Sequence, residues 1–152
     1  MICLNKLLIK AFAICSLATI TCKGDELVRV TVDNFNRAES EMYFARFAKE
    51  GGFGKLSHER NLASIDNQTV IRLNRDTLYS FGVFDLDAAP VTVTLPDPGK
   101  RYMACQVINQ DHFAPDVFYA PRSHTLTKAL VGTRYVCLAF RTFVNPNSPA
   151  DL

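Results

Sequence analysis

The sequence predicts a mainly β domain: an antiparallel β-sandwich preceded by one amphipathic α-helix, behind a cleavable N-terminal signal helix. Three observations carry this. Seven short β-prone runs follow one another with turn residues between them. A single stretch of helical period precedes them, with little helix in between, which argues against a parallel α/β sheet. The chain also starts with a basic and then apolar segment.

That start sets the expected compartment. Lys6 and Lys10 supply positive charge, Leu7 to Thr21 is apolar except at Lys10, Ser16, Thr19 and Thr21, and no acid precedes Asp25. A basic start, a short apolar run and small residues around Thr21 to Gly24 form the pattern of a secretory signal peptide. The run is shorter than the ~20 apolar residues that a spanning helix needs. The expected division is a signal over 1–22 and a domain over 23–152, in a periplasmic or secreted protein. Two alternatives stay open: an uncleaved membrane anchor, and lipid attachment at Cys22, for which Thr19, Ile20 and Thr21 are a poor leader.

Losing 1–22 removes Lys6 and Lys10 from 17 basic residues and leaves 15 against 15 acidic ones. A neutral domain lacks the positive footprint that phosphate-backbone binding needs, so nucleic acid is not an expected partner. The remaining ~130 residues suit one domain. Of the five cysteines, Cys105 and Cys137 lie in predicted strands. They are either a bridge across a sheet or two small buried hydrophobes. No Cys-x-x-Cys pair indicates a zinc ribbon or a redox site, and no metal or cofactor is expected.

The helix is predicted from Thr31 or Asp33 as cap, with Phe35, Ala38, Met42, Ala45 and Ala48 recurring at three- and four-residue intervals, Arg37, Glu41 and Lys49 elsewhere on its surface, and Gly51 and Gly52 as its stop. After a polar loop, residues 70–74 alternate, and 78–84 is strongly β-prone. Residues 85–90 form a turn, Val91, Val93 and Leu95 alternate with Thr92 and Thr94, and Pro96 to Gly99 turns the chain again. Further strands fit 102–108, 117–119, 124–127 and 133–143. Near the end, Ser148, Pro149 and Ala150 have the composition of a helix start.

Catalytic motifs are scarce: no Gly-x-Ser-x-Gly elbow, phosphate-binding glycine loop or His-Glu-x-x-His site occurs. Two polar clusters remain. Asn109, Gln110, Asp111 and His112 follow an apolar strand, where loops place functional groups. Asp111 could orient His112 for acid-base work, although adjacent residues on an extended chain point to opposite faces. Asn74, Arg75, Asp76 and Thr77, with Tyr79, form the second, read as either a ligand site or a structural Arg75–Asp76 pair. Arg134 and Arg141 are candidates to anchor carboxylates. Asn67, Gln68 and Thr69 match a glycosylation acceptor, relevant only in a eukaryotic secretory pathway.

The run Asn74 to Ser80 (NRDTLYS) resembles the signature of the family called domain of unknown function 1254. The segments VTVTLPDP (91–98), RYMACQVINQDH (101–112), VFYAP (117–121), GTRYV (132–136) and RTFVNPNSPADL (141–152) are similar to it as well. The resemblance implies an immunoglobulin-like β-sandwich in an exported bacterial protein, ordinarily followed by a second β-rich domain numbered 1214. It therefore implies a single-domain variant or a truncated gene product. Ala120 stands where relatives often carry glycine.

Two functional classes fit. The first is a non-enzymatic binding or assembly module of the bacterial cell envelope. It would present Asn74, Arg75, Tyr79 and Asn109 to a small molecule, a glycan, a second β-rich domain or another copy. The second is a cell-envelope hydrolase or other enzyme using His112 with Asp111 or Asp76 and Arg75 on a substrate anion.

Overall fold

The computed structural model describes residues 27–66 and 72–151. The expected signal segment with Cys22, and the Asn67–Gln68–Thr69 triplet, lie outside the described residues. The chain runs through helix α1 (Phe35–Phe47), strand β1 (Ser57–Glu59), β2 (Thr77–Asp85), β3 (Val91–Leu95), β4 (Met103–Asn109), β5 (Asp116–Tyr119), β6 (Arg122–Leu126), a one-turn helix α2 (Lys128–Val131) and β7 (Tyr135–Phe143). The fold is mainly β, with two antiparallel sheets. One is five-stranded in the order β1-β2-β7-β4-β5, and the other is the ribbon β3-β6.

Period-2 alternation decides what each face of the large sheet meets. On β7, Val136, Leu138 and Phe140 point toward the ribbon, where they join Cys105, Val107 and Phe118 of the sheet with Val93, Leu95 and Leu126 of the ribbon in the main core. Cys137 points the other way and packs with Val83, Phe44 and Phe47 beneath α1. The molecule is therefore three layers deep, ribbon on sheet on helix.

That alternation also settles the cysteines. Cys105 lies opposite Phe140, whereas Cys137 lies opposite Ile108. The two thiols thus sit on opposite faces of adjacent strands and are both free and buried. Loss of water around them pushes each up to about 12.

Several expectations are corrected. Asn34, not Thr31 or Asp33, stands at the helix N-cap; its Oδ1 accepts from Thr31 N at 2.7 Å, outside the helix. The expected stripe of Phe35, Ala38, Met42, Ala45 and Ala48 is not the docking face: Phe35 and Met42 are more than half exposed. Ser40, Phe44 and Phe47 face the sheet instead, because two phenylalanines bury far more apolar area than three alanines. Residues 72–74 form no strand, and Arg72 has φ 60; the first strand among the described residues is Ser57–Glu59, which carries no apolar alternation. The expected stop holds: a π-type turn, Ala48–Gly52, continues α1 and ends at the two glycines, with Gly51 at φ 89. Only a short 3-10 turn, Pro149–Asp151, forms where a helix was expected to begin.

Candidate functional site

The first cluster closes β4. Asn109, almost fully buried, donates from Nδ2 to Val131 O at 3.1 Å, and its Oδ1 accepts from Asp111 N at 3.0 Å and Phe113 N at 2.9 Å. One side chain thus folds the loop over itself and ties it to α2, leaving His112 at φ 68. Gln110, equally buried, accepts from Tyr135 N through Oε1 at 3.0 Å, while Thr133 Oγ1 accepts from its backbone N–H at 3.2 Å.

The remaining groups reach the helix. Asp111 accepts from Arg37 at 2.9 Å, Gln110 Nε2 donates to Glu41 at 3.3 Å, and His112 Nδ1 lies 2.8 Å from Ser40 Oγ. Glu41 also accepts from Arg37 Nε at 2.6 Å and, with Asp111, holds that guanidinium above its ordinary value. Arg37, Ser40 and Glu41 recur on one side of α1 because residues three and four apart share a face. The loop is therefore a clasp that docks α1.

A serine hydroxyl beside an imidazole invites a nucleophilic reading. The geometry opposes it. Ser40 is 2 % exposed, which leaves its hydroxyl no approach for a substrate. Asp111, the expected orienting acid, is bonded to Arg37 rather than to His112. Asp76 does not share the site at all. Thr77 pairs with Phe143 and Asn109 with Val136 along β7. The two clusters consequently sit at opposite ends of the large sheet, separated by roughly 20–25 Å of strand.

At that other end, Asn74, Arg75 and Asp76 are exposed, and no ion pair joins Arg75 to Asp76. Asp76 contributes its carbonyl, which accepts from Val144 N at 2.8 Å. Arg134 anchors a carboxylate, as expected, bonding Asp85 at 2.7 Å. Arg141 instead lies over the Tyr79 ring, 5.7 Å from its centroid.

Tyr79 opens the more informative feature, a pocket of about 290 Å³ between the C-terminal half of α1 and the first half of β2. Its wall is a row of aromatic rings. Phe47 stacks on Phe81 at 4.4 Å, Tyr79 lies parallel to Phe81 at 6.0 Å, and Tyr43 follows Phe47 at 6.2 Å. The rim carries the Arg46–Glu50 pair, 2.9 Å long, with Glu59 and Asn61. Among the described residues the buried Tyr79 hydroxyl has no hydrogen-bond partner, nor has Thr77 Oγ1, and burying a hydroxyl unpaired costs free energy. A second cleft of about 310 Å³ lies at the clasp end, lined by Phe44, Phe53, Val83 and Tyr135. Its polar members Glu41 and Gln110 are bonded to each other.

Of the residues singled out from sequence, only Tyr79 lines the aromatic pocket. Tyr43, Arg46, Phe47, Glu50, Glu59, Asn61 and Phe81 escaped that reading. Tyr43 to Glu50 look like ordinary helix surface, and only the docking of α1 on β2 brings them to the strand. Among the described residues no group of His, Cys, Asp and Glu could hold a metal ion.

No curated protein matches the chain. Among solved structures, the VPA0106 protein from Vibrio parahaemolyticus is similar at 19 % identity and a TM-score of 0.49, over 72 % of this chain and 30 % of that one. This chain thus spans less than a third of that protein's length. The family model for proteins of unknown function DUF1254 matches residues 53–129, half of the sequence, running from the end of the helical segment through β6 to α2. The chain belongs to the DUF1254 family.

Proposed function

We propose that this domain is an exported, non-enzymatic binding module of the cell envelope, and that its ligand site is the aromatic pocket between α1 and β2. The observation that carries the reading is the wall of stacked rings, Phe47, Phe81 and Tyr79, the last with a hydroxyl that has no partner among the described residues. Flat aromatic faces suit the apolar faces of a sugar ring or another small cyclic molecule. The rim of Arg46, Glu50, Glu59 and Asn61 offers both donors and acceptors for its hydroxyl groups. Export rests on the basic and apolar pattern of residues 6–21.

Titration with N-acetylglucosamine and its β-1,4 oligomers, followed by amide chemical shifts and tyrosine fluorescence, tests the site. The chain has no tryptophan and five tyrosines, two of which line the pocket. Saturable shifts at Tyr43, Phe47, Tyr79 and Phe81, unchanged in His112→Ala, are expected. Shifts centred on residues 109–113 would move the site to the clasp and return the hydrolase reading to first place.

A further inference from the structure

Between the expected signal and α1 the chain carries Leu27-Val28-Arg29-Val30-Thr31-Val32, a period-2 run rich in β-branched residues. Such a run ordinarily lies in a sheet with Val28, Val30 and Val32 on one buried face. Here it belongs to no strand, and Leu27, Val28, Val30 and Val32 are 98 %, 79 %, 55 % and 94 % exposed. Four large apolar side chains in six residues, all left in water, mark a segment built to pair with something.

The same molecule holds a matching vacancy. The ribbon sets two strands against five. On the β6 side, inward-facing His124 reaches across to the large sheet, its Nε2 3.1 Å from Asp116 of β5, and among the described residues no apolar groove follows that edge. The edge of β3 away from β6 has no strand partner among the described residues. Beside it runs a groove of about 250 Å³ floored by Phe84, Leu138 and Phe140 and walled by Leu56 and β3 itself. Gly82 lets the Lys55–Leu56 backbone pass close over β2, since a Cβ there would stand 2.7 Å from Lys55 O. β3 has the same period as the run: Val91, Val93 and Leu95 face inward, and Thr92 and Thr94 face out, paired to Thr125 and Ser123.

We infer that residues 27–32 of one copy add as a third strand to the free edge of β3 in a second copy. Val28, Val30 and Val32 fill the groove, while Arg29 and Thr31 extend the outer threonine face. The donor run leads into α1, which lies on the opposite side of the large sheet from the ribbon, so the acceptor is another molecule's β3. Main-chain hydrogen bonds supply the affinity and the valines supply the register, as in other strand additions. Two such contacts about a two-fold axis close a dimer. They bury on the order of 1,500 Å² in total, above the ~1,000 Å² that a specific interface must clear. This contact is independent of the aromatic pocket.

The test is light scattering on the purified chain, wild type against Val28→Lys/Val30→Lys, with hydrogen exchange read at β3. Both positions contact water in the isolated fold, so the variant keeps its structure, which circular dichroism checks. Wild type is expected to run as a dimer or larger species at tens of micromolar, and the variant as a monomer with at least tenfold faster exchange in residues 91–95. A synthetic peptide of sequence LVRVTV, added to that monomer, is expected to restore protection in β3. A wild-type monomer, an oligomer that survives the double substitution, or peptide protection appearing in β1 or β5 instead would each overturn the inference.

Discussion

The two ends of the large sheet treat polar residues in opposite ways. At the clasp end, the side chains of Asn109, Gln110, Asp111 and His112 each have a partner within the fold. At the other end, Tyr79 keeps a buried hydroxyl that no group among the described residues satisfies. Density of polar residues in a sequence therefore does not distinguish a site from a joint. What distinguishes them is whether the hydrogen-bonding capacity is used up inside the molecule.

Breaking the clasp should cost most. Asn109→Ala removes three hydrogen bonds and leaves Val131 O and two loop N–H groups without their partner. About 3 kcal/mol of stability should be lost, read as a lower urea midpoint at unchanged slope. The far end should behave inversely. Tyr79→Phe removes only an unsatisfied hydroxyl, so the protein should be as stable or up to ~1 kcal/mol more stable, while losing about tenfold in affinity for a pocket ligand. If Tyr79→Phe destabilised as Asn109→Ala does, the contrast between the two ends would be gone.

A pH experiment sharpens the comparison by a smaller effect. Asp85, at the clasp end of β2, bonds Arg134 bidentately, and this holds its carboxyl below the usual carboxylate range, with the Asp87 N–H contributing. A depressed folded value gives stability that is present above the unfolded value of about 3.9 and is lost as pH falls through the folded one. Asp85→Asn should accordingly lower the melting temperature at pH 7, and the difference from wild type should vanish near pH 2. Arg134 is half exposed, so added salt should also shrink that difference.

Much of the fold was legible because it is local. Turn residues place β3, β4 and β7 to within a residue or two; alternation reports the one buried face of β3, whereas β7 buries both faces, Val136 and Leu138 toward the ribbon and Cys137 toward α1. What escaped depends on contacts distant in sequence. β1 pairs with β2 through three polar residues, which carry no apolar signal. The helix was found, but its face was misread because Phe44 and Phe47 outweigh the more regular alanine spacing. The opposite faces of Cys105 and Cys137 follow from register alone. The candidate site was half legible: Tyr79 was named, but its neighbours on α1 become neighbours only through docking.

The smallest expected effect is the most diagnostic for the second cluster as the sequence presented it. Asn74 and Arg75 are exposed and do not line the pocket, whose lining skips from Leu73 to Tyr79 along this stretch. Asn74→Ala and Arg75→Ala should therefore change stability by no more than ~0.5 kcal/mol and leave the pocket's affinity within about twofold. Calorimetric titration of both variants with the pocket ligand checks this. A tenfold loss for Arg75→Ala would mean that its guanidinium reaches the bound ligand, and the site would then extend from the aromatic wall onto the strand junction.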